Sequence, residues 1–458
     1  MKPKERMEIP RQHPKELPVE ERITNFNEIV QGYDDDTAMT EANRCLQCKK
    51  PWCIKGCPIQ NDIPGFIKLL TEGDIEAAYW TIRKTSSLPA ICSRVCPHEF
   101  QCEGHCVRGK KGEPVAIGML ERYISDWMLA NRPDKIIEPC AIPKEKRVAI
   151  VGTGPAGMTV AYNLAREGYR CTMFDNLPVL GGMLRIGIPA YRLPREVIDT
   201  EFHALKSCGV EIVSNITIGK DKTLKDLEEE GFSAIFIGVG AQESRKLDIP
   251  GEDMEGVMHG VDFLRRFNLG EDIRLGDRVV IVGGGNVAID CARTALRTGS
   301  KDVFIIYRRT EKEMPASETE IRQMKEEGVD IRFLVAPVAI HGSSGKLESI
   351  ECIQMELGEP DESGRRSPVP IKGSNFTIQA DSVIPAVSQR VETTVCNGVD
   401  LKLTQWGTLD VNPETLQTNI PYIFAGGDDV LGPKTVAKAA YQGRIAAKSI
   451  MDFLEGRL

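Results

Sequence analysis

Apolar residues recur at two different intervals along the chain, and the interval changes near residue 146. From Asp62 to Ile82 they fall three or four positions apart, which predicts amphipathic helices. Arg147 to Val151 is instead a short β-branched run that leads directly into glycines, which predicts a buried strand. The first part, up to about Pro143, is therefore expected to be mainly helical, and the remainder to alternate strands with helices.

A strand, a glycine turn and a helix follow one another twice after residue 146. The first copy reads RVAIVGTGPAGMTVAYNLAREG and the second RVVIVGGGNVAIDCARTALRTG, about one domain length further on. This spacing predicts two separate nucleotide-binding units rather than two copies of one short repeat. A proline-rich, charged linker, Asn131 to Lys146, precedes them, and the polar stretch from Gly358 to Pro370 is expected to be an exposed hairpin or loop.

The length of the chain and its net charge indicate how many domains it has and which partners it does not bind. The 458 residues allow about three domains of roughly 150 residues each. The net charge of −8 gives no electrostatic reason to bind nucleic acid or a membrane, and neither partner is expected. Met1 to Glu20 is charged and lacks an apolar core, which indicates a cytoplasmic protein whose thiols stay reduced.

The first glycine turn has the spacing of a dinucleotide site. Gly152, Gly154 and Gly157 form G-x-G-x-x-G between a predicted strand and a predicted helix. The first glycine permits the tight turn, the second lets a pyrophosphate approach the backbone, and the third allows close packing of helix on strand. Asp175 ends the next apolar strand, where a carboxylate can accept hydrogen bonds from ribose hydroxyls. The alternative is a tight turn that binds no ligand.

The second glycine turn differs at the end of its following strand. Gly283 and Gly285 keep the pattern, and Ala288 takes the third small position. Arg308 and Arg309 stand where an NAD site carries an acidic residue, and they suit the 2′-phosphate of NADP. Two solvated arginines at a strand end are the alternative, and acidic residues follow closely.

The carboxyl-terminal stretch favours a flavin at the first turn. Thr418 to Asp429 reads TNIPYIFAGGDD, and a helix is predicted from about Pro433 to Phe453. A strand that ends in Gly427 and Asp428 beside a helix start offers a carboxylate for ribityl hydroxyls and a positive helix end for the flavin. Two dinucleotide sites in one chain therefore predict FAD at the first turn and NADPH at the second.

Eight of the fourteen cysteines lie close together. Cys45-x2-Cys48-x4-Cys53-x3-Cys57-Pro is followed by Cys92-x3-Cys96-Pro-x4-Cys102-x3-Cys106. Eight thiolates suffice for two [4Fe–4S] clusters, and the proline after Cys57 and Cys96 is found at ferredoxin-type sites. Structural zinc is the alternative, and a disulfide-bonded set is a weaker one. Other cysteines are isolated and are expected to be buried apolar residues: Cys171, Cys208, Cys291, Cys352 and Cys396.

The segments after residue 146 resemble the flavoproteins with two dinucleotide-binding domains. The resemblance implies that an NAD(P) domain is inserted into an FAD domain, that Asp428 binds the ribityl chain, and that Gly238 to Ala241 and Val383 to Gln389 are the crossovers. The implied fold is an α/β flavoprotein with Rossmann-like FAD and NAD(P) domains behind a mainly α-helical iron–sulfur domain. The expected boundaries are 1–145, 146–255, 256–380 and 381–458. No catalytic side chain is expected, because hydride transfer needs only positioning and exclusion of water.

The whole chain resembles the family of the small (β) subunit of NADPH-dependent glutamate synthase. The cysteine pattern carries the resemblance, with GGMLRIGIPAYRLP (Gly181 to Pro194), YRRTEKEMPA and IFAGGDDVLGPKTVAKAAYQGRIAAKSI. The large subunit of NADH-dependent ferredoxin:NADP oxidoreductase and the amino-terminal domain of dihydropyrimidine dehydrogenase are similar too. The family implies a subunit that passes electrons from NADPH through FAD to the clusters and a partner. That partner is a glutamate synthase large subunit, a ferredoxin-reductase-like small subunit, or ferredoxin if the protein acts alone. A zinc-stabilised NADP-binding scaffold without turnover is the alternative from another class.

The resemblance also implies which residues bind each group. One cluster takes Cys45, Cys48, Cys53 and Cys106, and the other takes Cys57, Cys96, Cys102 and Glu121. Cys92 is then not a ligand, whereas the residues alone count it among eight. The expected cofactor contacts are Gly152, Gly154, Pro155, Ala156, Gly157, Asp175, Gly182, Met183, Leu184, Gly427, Asp428 and Thr435 for FAD, and Gly283, Gly285, Asn286, Val287, Ala288, Arg308 and Arg309 for NADPH.

Overall fold

The computed structural model describes residues 1–136, 140–361 and 364–458, and its first part is helical as predicted. The segment from Asp62 to Ile82 forms two helices, as the plural prediction allows, and Gly73 turns the chain between them at a φ of +81°. Asp74 then caps the second helix by accepting from Ala77 N at 2.9 Å. The helices of this part are α1 (Pro3–Glu8), α2 (Val19–Arg22), α3 (Asp35–Ala42), α4 (Trp52–Gly56), α5 (Ile63–Thr71), α6 (Ile75–Arg83), α7 (Pro89–Val95) and α8 (Ile117–Asn131). The predicted linker includes residues 137–139, which lie outside the described residues.

The first sheet follows this helical part and is parallel. Its five strands run in the order β15-β4-β1-β2-β3. The elements are β1 (Arg147–Val151), α9 (Pro155–Arg166), β2 (Arg170–Phe174), α10 (Met183–Ile186), α11 (Arg195–Ser207), β3 (Glu211–Val213), α12 (Leu224–Glu229), β4 (Ala234–Ile237), β15 (Ile423–Ala425), α16 (Asp428–Leu431) and α17 (Val436–Leu454). β1 is buried from Val148 onward, as a parallel strand covered on both faces must be. In the described ranges no helix, α17 included, is long and apolar enough to cross a membrane.

The second sheet is also parallel and repeats the pattern of strand, turn and helix. Its strands run in the order β13-β6-β7-β8. The elements are α13 (Gly260–Asn268), β6 (Arg278–Val282), α14 (Asn286–Arg297), β7 (Asp302–Tyr307), α15 (Glu318–Glu326), β8 (Asp330–Phe333) and β13 (Ser382–Pro385). β13 pairs in register with β6, so the second sheet takes a strand from beyond the boundary expected at residue 380. We place the return crossover after Pro385.

An antiparallel sheet lies between β8 and β13 along the chain. It consists of β9 (Val335–Ser343), β10 (Lys346–Pro360), β11 (Arg366–Pro370) and β12 (Phe376–Gln379). β10 and β11 form a hairpin where the polar stretch was predicted, and residues 362 and 363 lie outside the described residues. A further short ribbon pairs β5 (Glu243–Ser244) with β14 (Gln389–Arg390), which joins the two crossover segments.

Residues 16–31, which we call the N-terminal strap, connect the helical part to the second sheet. Glu28 pairs with Arg94 and Arg122 of α7 and α8, at 2.8 and 2.9 Å. At the other end Arg22 is buried and pairs with Glu326 at 2.5 Å and Glu327 at 3.2 Å. The strap therefore holds the helical part and the second sheet together through buried charges.

One expectation about the isolated cysteines is wrong. Cys208 forms a disulfide with Cys140, which lies 68 residues earlier, whereas a buried apolar thiol was expected. The bond joins the segment before β1 to the residue that ends α11. The local sequence carries no sign of this pairing, because the two cysteines are 68 residues apart. Cys171, Cys291 and Cys352 are buried free thiols as expected, and Cys396 is a half-buried one.

Candidate functional site

A cavity of about 220 Å³ opens at the carboxyl edge of the first sheet, above the first glycine turn. Gly152 has a φ of +104°, and a Cβ there would lie 2.2 Å from Gly238 O, so the turn requires glycine. A Cβ on Gly154 would instead point into open space. Gly154 precedes α9, whose N-terminus can bind an anion, so the open space suits a pyrophosphate. Gly157 is the packing glycine, since a Cβ there would lie 2.1 Å from Gly152 O.

Asp175 lies beside this turn and already has partners. One carboxylate oxygen accepts from Thr153 N at 3.0 Å and the other accepts from Leu177 N at 3.0 Å. Burial raises the pKa of Asp175 in spite of these bonds. A cavity of about 50 Å³ reaches Asp175, Gly152 and Gly240 and suits the ribose end of the dinucleotide. Asp175 therefore fixes the shape of the turn and also faces the predicted ribose position.

Two neighbouring aspartates close the other end of the first cavity. Asp428 lines the cavity, and burial raises its pKa to about 7, although one oxygen accepts from Lys434 N at 3.1 Å. Asp429 is fully buried and accepts from Val239 N at 2.9 Å and from Gly240 N. Burial raises its pKa to about 7 as well. Asp429 thus holds the first crossover, a role that sequence reasoning missed although the doubled aspartate was visible.

The remaining residues expected at FAD converge on the same cavity. Gly427 has a φ of +95°, and its N donates to Gln442 Oε1 at 2.7 Å. Thr435 immediately precedes α17, and its hydroxyl accepts from Gln101 Nε2 at 3.3 Å, which links the first sheet to the helical part. Gln442 was not predicted, because its contact depends on how α17 packs. The first cavity is also lined by Pro155, Ala156, Gly182, Met183 and Leu184.

The second cavity measures about 740 Å³ and lies above the second glycine turn. Gly283 and Gly285 line it with Asn286 and Val287. A Cβ on Gly283 would lie 2.4 Å from Ala386 O, which again requires glycine. Ala288 does not line the cavity but is fully buried in the core, as the third small position should be.

The two predicted arginines have different environments. Arg308 is exposed at the wall of the second cavity. Arg309 is buried, although it also lines this wall, and its guanidinium donates to Asp361 at 2.7 Å and to Arg366 O at 2.7 Å. Arg309 therefore fastens the β10–β11 hairpin over the cavity. This hairpin brings in Arg365, a basic residue at the cavity wall that the sequence did not indicate.

The two cavities meet. Five residues line both of them: Asn286, Val287, Gln389, Lys434 and Thr435. Val95 and Pro97, on either side of Cys96, line the first cavity as well. Ligands of the two dinucleotide sites would therefore touch each other, and the first site also borders the cysteine-rich part.

The cysteines fall into two groups. Burial raises the pKa of Cys45 to about 11 and that of Cys53 to about 12, and repulsion from Cys106 contributes to both shifts. Burial and repulsion from Cys106 raise the pKa of Cys48 as well. The four thiols of Cys45, Cys48, Cys53 and Cys106 line one small apolar cavity. Four thiolates in one apolar pocket are a donor set that fits an iron–sulfur cluster.

The second group contains three cysteines and a carboxylate. Burial raises the pKa of Cys57 to about 11 and that of Cys102 well above its usual value, and repulsion from Glu121 contributes to both shifts. The side chain of Glu121 is buried, and burial raises its pKa to about 8, with one hydrogen bond from Asn61 Nδ2 at 3.3 Å. Cys96 belongs to this group.

Cys92 is also close to the second group. A hydrogen bond between Cys92 and Cys96, together with burial, raises the pKa of Cys96. Cys92 is nonetheless part of the apolar core beneath the first sheet. In the described part of the chain, no three His, Cys, Asp or Glu side chains are grouped so that they could hold a single metal ion.

Comparison with known proteins matches two family models to this chain. Residues 22–133 match the family model "Dihydropyrimidine dehydrogenase domain II, 4Fe-4S cluster", and residues 146–443 match "Pyridine nucleotide-disulphide oxidoreductase". Among solved structures, FprA of Mycobacterium tuberculosis in complex with NADPH is similar with a TM-score of 0.60 and 21% identity, over 68% of this chain and 85% of that one. This likeness confirms the predicted flavoprotein fold.

Curated relatives extend over nearly the whole chain. The NADPH glutamate synthase small chains of Halomonas elongata and Escherichia coli are each 37% identical, over 98% of both chains. The NADP(+)-dependent formate dehydrogenase subunit beta of Moorella thermoacetica is 42% identical over 88% of this chain, which spans 60% of that relative's length. The chain therefore belongs to the family of the NADPH-dependent glutamate synthase small chains, with an FAD/NADPH-type oxidoreductase domain behind a 4Fe-4S domain.

Proposed function

We propose that this chain is the NADPH-oxidising subunit of a larger enzyme. When bound, FAD and two [4Fe–4S] clusters would supply the chemistry that converts a two-electron hydride donor into a source of single electrons for a partner. The observation that carries the proposal is the meeting of the two cavities beside Cys96.

The protein's own residues bind and orient these groups. Gly154 and the N-terminus of α9 hold a pyrophosphate, Asp175 faces a ribose, and Asp428 faces the ribityl chain. Gly285 and Asn286 begin α14 and hold the second pyrophosphate in the same way. The rest of the predicted contacts shape the two cavities and exclude water. A general acid or base is not required.

Burial and mutual repulsion support two separate ligand sets. We assign Cys45, Cys48, Cys53 and Cys106 to the first cluster, and Cys57, Cys96, Cys102 and Glu121 to the second. Each thiol with a raised pKa would be stabilised as a thiolate by a bound iron cluster, whereas repulsion opposes ionisation without one. Cys92 is not included, because the family resemblance leaves it outside both ligand sets; its side chain packs in the core beneath the first sheet.

We also propose a division of the chain into domains. Residues 1–145 form the iron–sulfur domain, and the NADPH domain runs from 256 to Pro385 within an FAD domain that surrounds it. The shift from the expected boundary at 380 rests on the pairing of β13 with β6.

The partner is a further part of the proposal. Relatives of this chain are named as subunits of glutamate synthase, of formate dehydrogenase and of an NADPH-Fe(3+) oxidoreductase. We infer that the chain acts with a glutamate synthase large subunit or a ferredoxin-reductase-like small subunit. Direct reduction of ferredoxin by the chain alone is the second candidate function. It is supported by the relatives' names, because they belong to three different enzymes and so do not point to one partner.

Anaerobic purification tests the proposal. The expected protein is brown, contains flavin and about eight irons per chain, and is bleached by NADPH. A colourless protein that contains zinc would refute it. Asp428→Ala should release FAD on dialysis while the iron content is retained, and unchanged FAD retention would contradict the assignment at that residue.

A further inference from the structure

Lysines surround the first cysteine group. Lys49 and Lys50 follow Cys48, Lys55 lies in α4 with Cys53, and Lys110 and Lys111 follow Cys106 closely. All five are exposed, and Trp52 among them is 49% exposed. We call these six residues the lysine surface. Each of the six lies within five residues of Cys48, Cys53 or Cys106 along the chain.

The charge of this surface is opposite to that of the whole chain. Residues 42–61 and 104–112 contain no Asp or Glu, although the chain has a net charge of −8. Across the described residues, no carboxylate forms an ion pair with any of the five lysines. Exposed lysines elsewhere do find partners, as Lys246 does with Asp253 at 2.7 Å. The positive charge of the lysine surface is therefore not compensated within the described part of the chain.

Trp52 adds an apolar anchor to this charge. Its ring lines the same small cavity as Cys48 and Cys53, and Lys55 Nζ lies 4.6 Å from the ring centroid. A large aromatic side chain exposed among cations costs solvation free energy and gains it back when a partner covers it. Tryptophan is enriched among the residues that contribute most to protein–protein binding.

The second cysteine group has no such surface. Its loop contains Glu99 and Glu103, and Gln101 in that loop contacts Thr435 beside the first cavity. The second group therefore faces the dinucleotide sites, and the first group faces solvent. Electrons that enter at the second cavity would leave through the first group.

We propose that the lysine surface docks an acidic one-electron carrier protein. The inference rests on the proposed function and adds the place and charge of the partner. Each NADPH becomes NADP⁺ and releases one proton and two electrons, so two carrier molecules are each reduced by one electron. Opposite charge at the docking face brings the carrier close to the first group and raises its association rate.

The test uses the anaerobic holoprotein, an acidic ferredoxin as carrier, and a neutral quinone as small acceptor. Lys49→Glu, Lys50→Glu and Lys55→Glu are combined in one variant. The ferredoxin reduction rate constant at low salt should fall at least about tenfold, and its decrease with added salt should disappear. Reduction of the iron chromophore by NADPH and of the quinone should stay as in the unmodified protein. The matched control is the variant Lys220→Glu, Lys372→Glu and Lys402→Glu, in which three exposed lysines elsewhere change sign.

Two other outcomes would distinguish an error in the docking proposal from an error in the proposed function. If NADPH reduces the clusters but both variants reduce ferredoxin equally well, the docking proposal is wrong and the proposed function stands. If NADPH does not reduce the clusters of the unmodified protein, the proposed function itself fails. Should the triple variant lose iron, Lys110→Glu with Lys111→Glu gives the same test from a separate segment. Trp52→Ala should weaken ferredoxin binding with the salt dependence kept, and no effect on binding would remove the anchor.

Discussion

Replacing Arg308 tests whether the second cavity binds the 2′-phosphate of NADPH. The neighbouring Arg309 lines the same cavity but has a structural role, so the two arginines can be compared. Arg308→Ala removes an exposed guanidinium from the cavity wall, and no hydrogen bond or ion pair of its side chain is seen within the described residues. Arg309→Ala would break the bonds to Asp361 and Arg366 O and loosen the hairpin. Only the first change isolates the binding of a 2′-phosphate.

The magnitude follows from the kind of bond that is lost. A hydrogen bond between a guanidinium and a phosphate contributes about 1.5–3 kcal/mol. At about 1.4 kcal/mol per factor of ten, Arg308→Ala should raise the Kd of NADPH about tenfold to a hundredfold. NADH has no 2′-phosphate, so its Kd should change less than about threefold by the same conversion.

Titration of the purified protein with each nucleotide, followed by flavin absorbance, measures both constants. Arg170→Ala is the control, because Arg170 is exposed at the amino end of β2, far along the chain from the second turn. An equal loss of affinity for NADPH and NADH would show that Arg308 does not read the phosphate. In that case Arg365, on the hairpin above the cavity, becomes the next residue to test.

Three further predictions concern stability and the clusters. Burial raises the pKa of the Asp429 carboxyl from 3.8 to about 7, so the native state binds a proton there more tightly than the unfolded state does. This protonation stabilises the native state near pH 4, and the stabilisation is lost as the pH rises to about 7. Asp429→Asn should flatten that part of the thermal unfolding profile, and an unchanged slope would argue against the buried acid. Glu121→Ala should alter the electron paramagnetic resonance spectrum of one cluster, whereas Cys92→Ser should alter neither; the opposite pair of results would restore eight cysteine ligands. Glu327 is shared by several buried arginines, so Glu327→Gln should destabilise the protein by about 3–5 kcal/mol in denaturant unfolding, whereas Glu326→Gln, at a more exposed carboxylate, should cost less.

Local backbone requirements made the two dinucleotide turns predictable. Gly152 and Gly283 take φ values that other residues avoid, and a side chain at either would collide with a crossover carbonyl. These glycines recur at fixed spacing within a short motif, so a single sequence reveals them. The cysteine spacing is informative for the same reason, since thiolates that share a cluster come from short loops.

Contacts between distant segments were not predictable. Arg309 forms a hydrogen bond with Asp361 of a hairpin 52 residues later, whereas the adjacent Arg308 stays exposed at the cavity wall. The sequence near the two arginines does not show which of them this hairpin binds. The disulfide of Cys208 and the support that Asp429 gives to the first crossover depend on tertiary packing in the same way. The pairing of β13 with β6 was not predictable either, because it brings together strands about a hundred residues apart.

The N-terminal strap has a consequence for the order in which the molecule is built. Arg22 and Glu326 are separated by 304 residues, so their contact cannot form until most of the chain has left the ribosome. Domains fold as units during synthesis, and contacts of long sequence separation close last. The helical part therefore exists for a time without the second sheet, with the cysteine loops already made. We expect the docking of Arg22 to complete the molecule, after an interval in which iron can still be delivered to an open amino-terminal part.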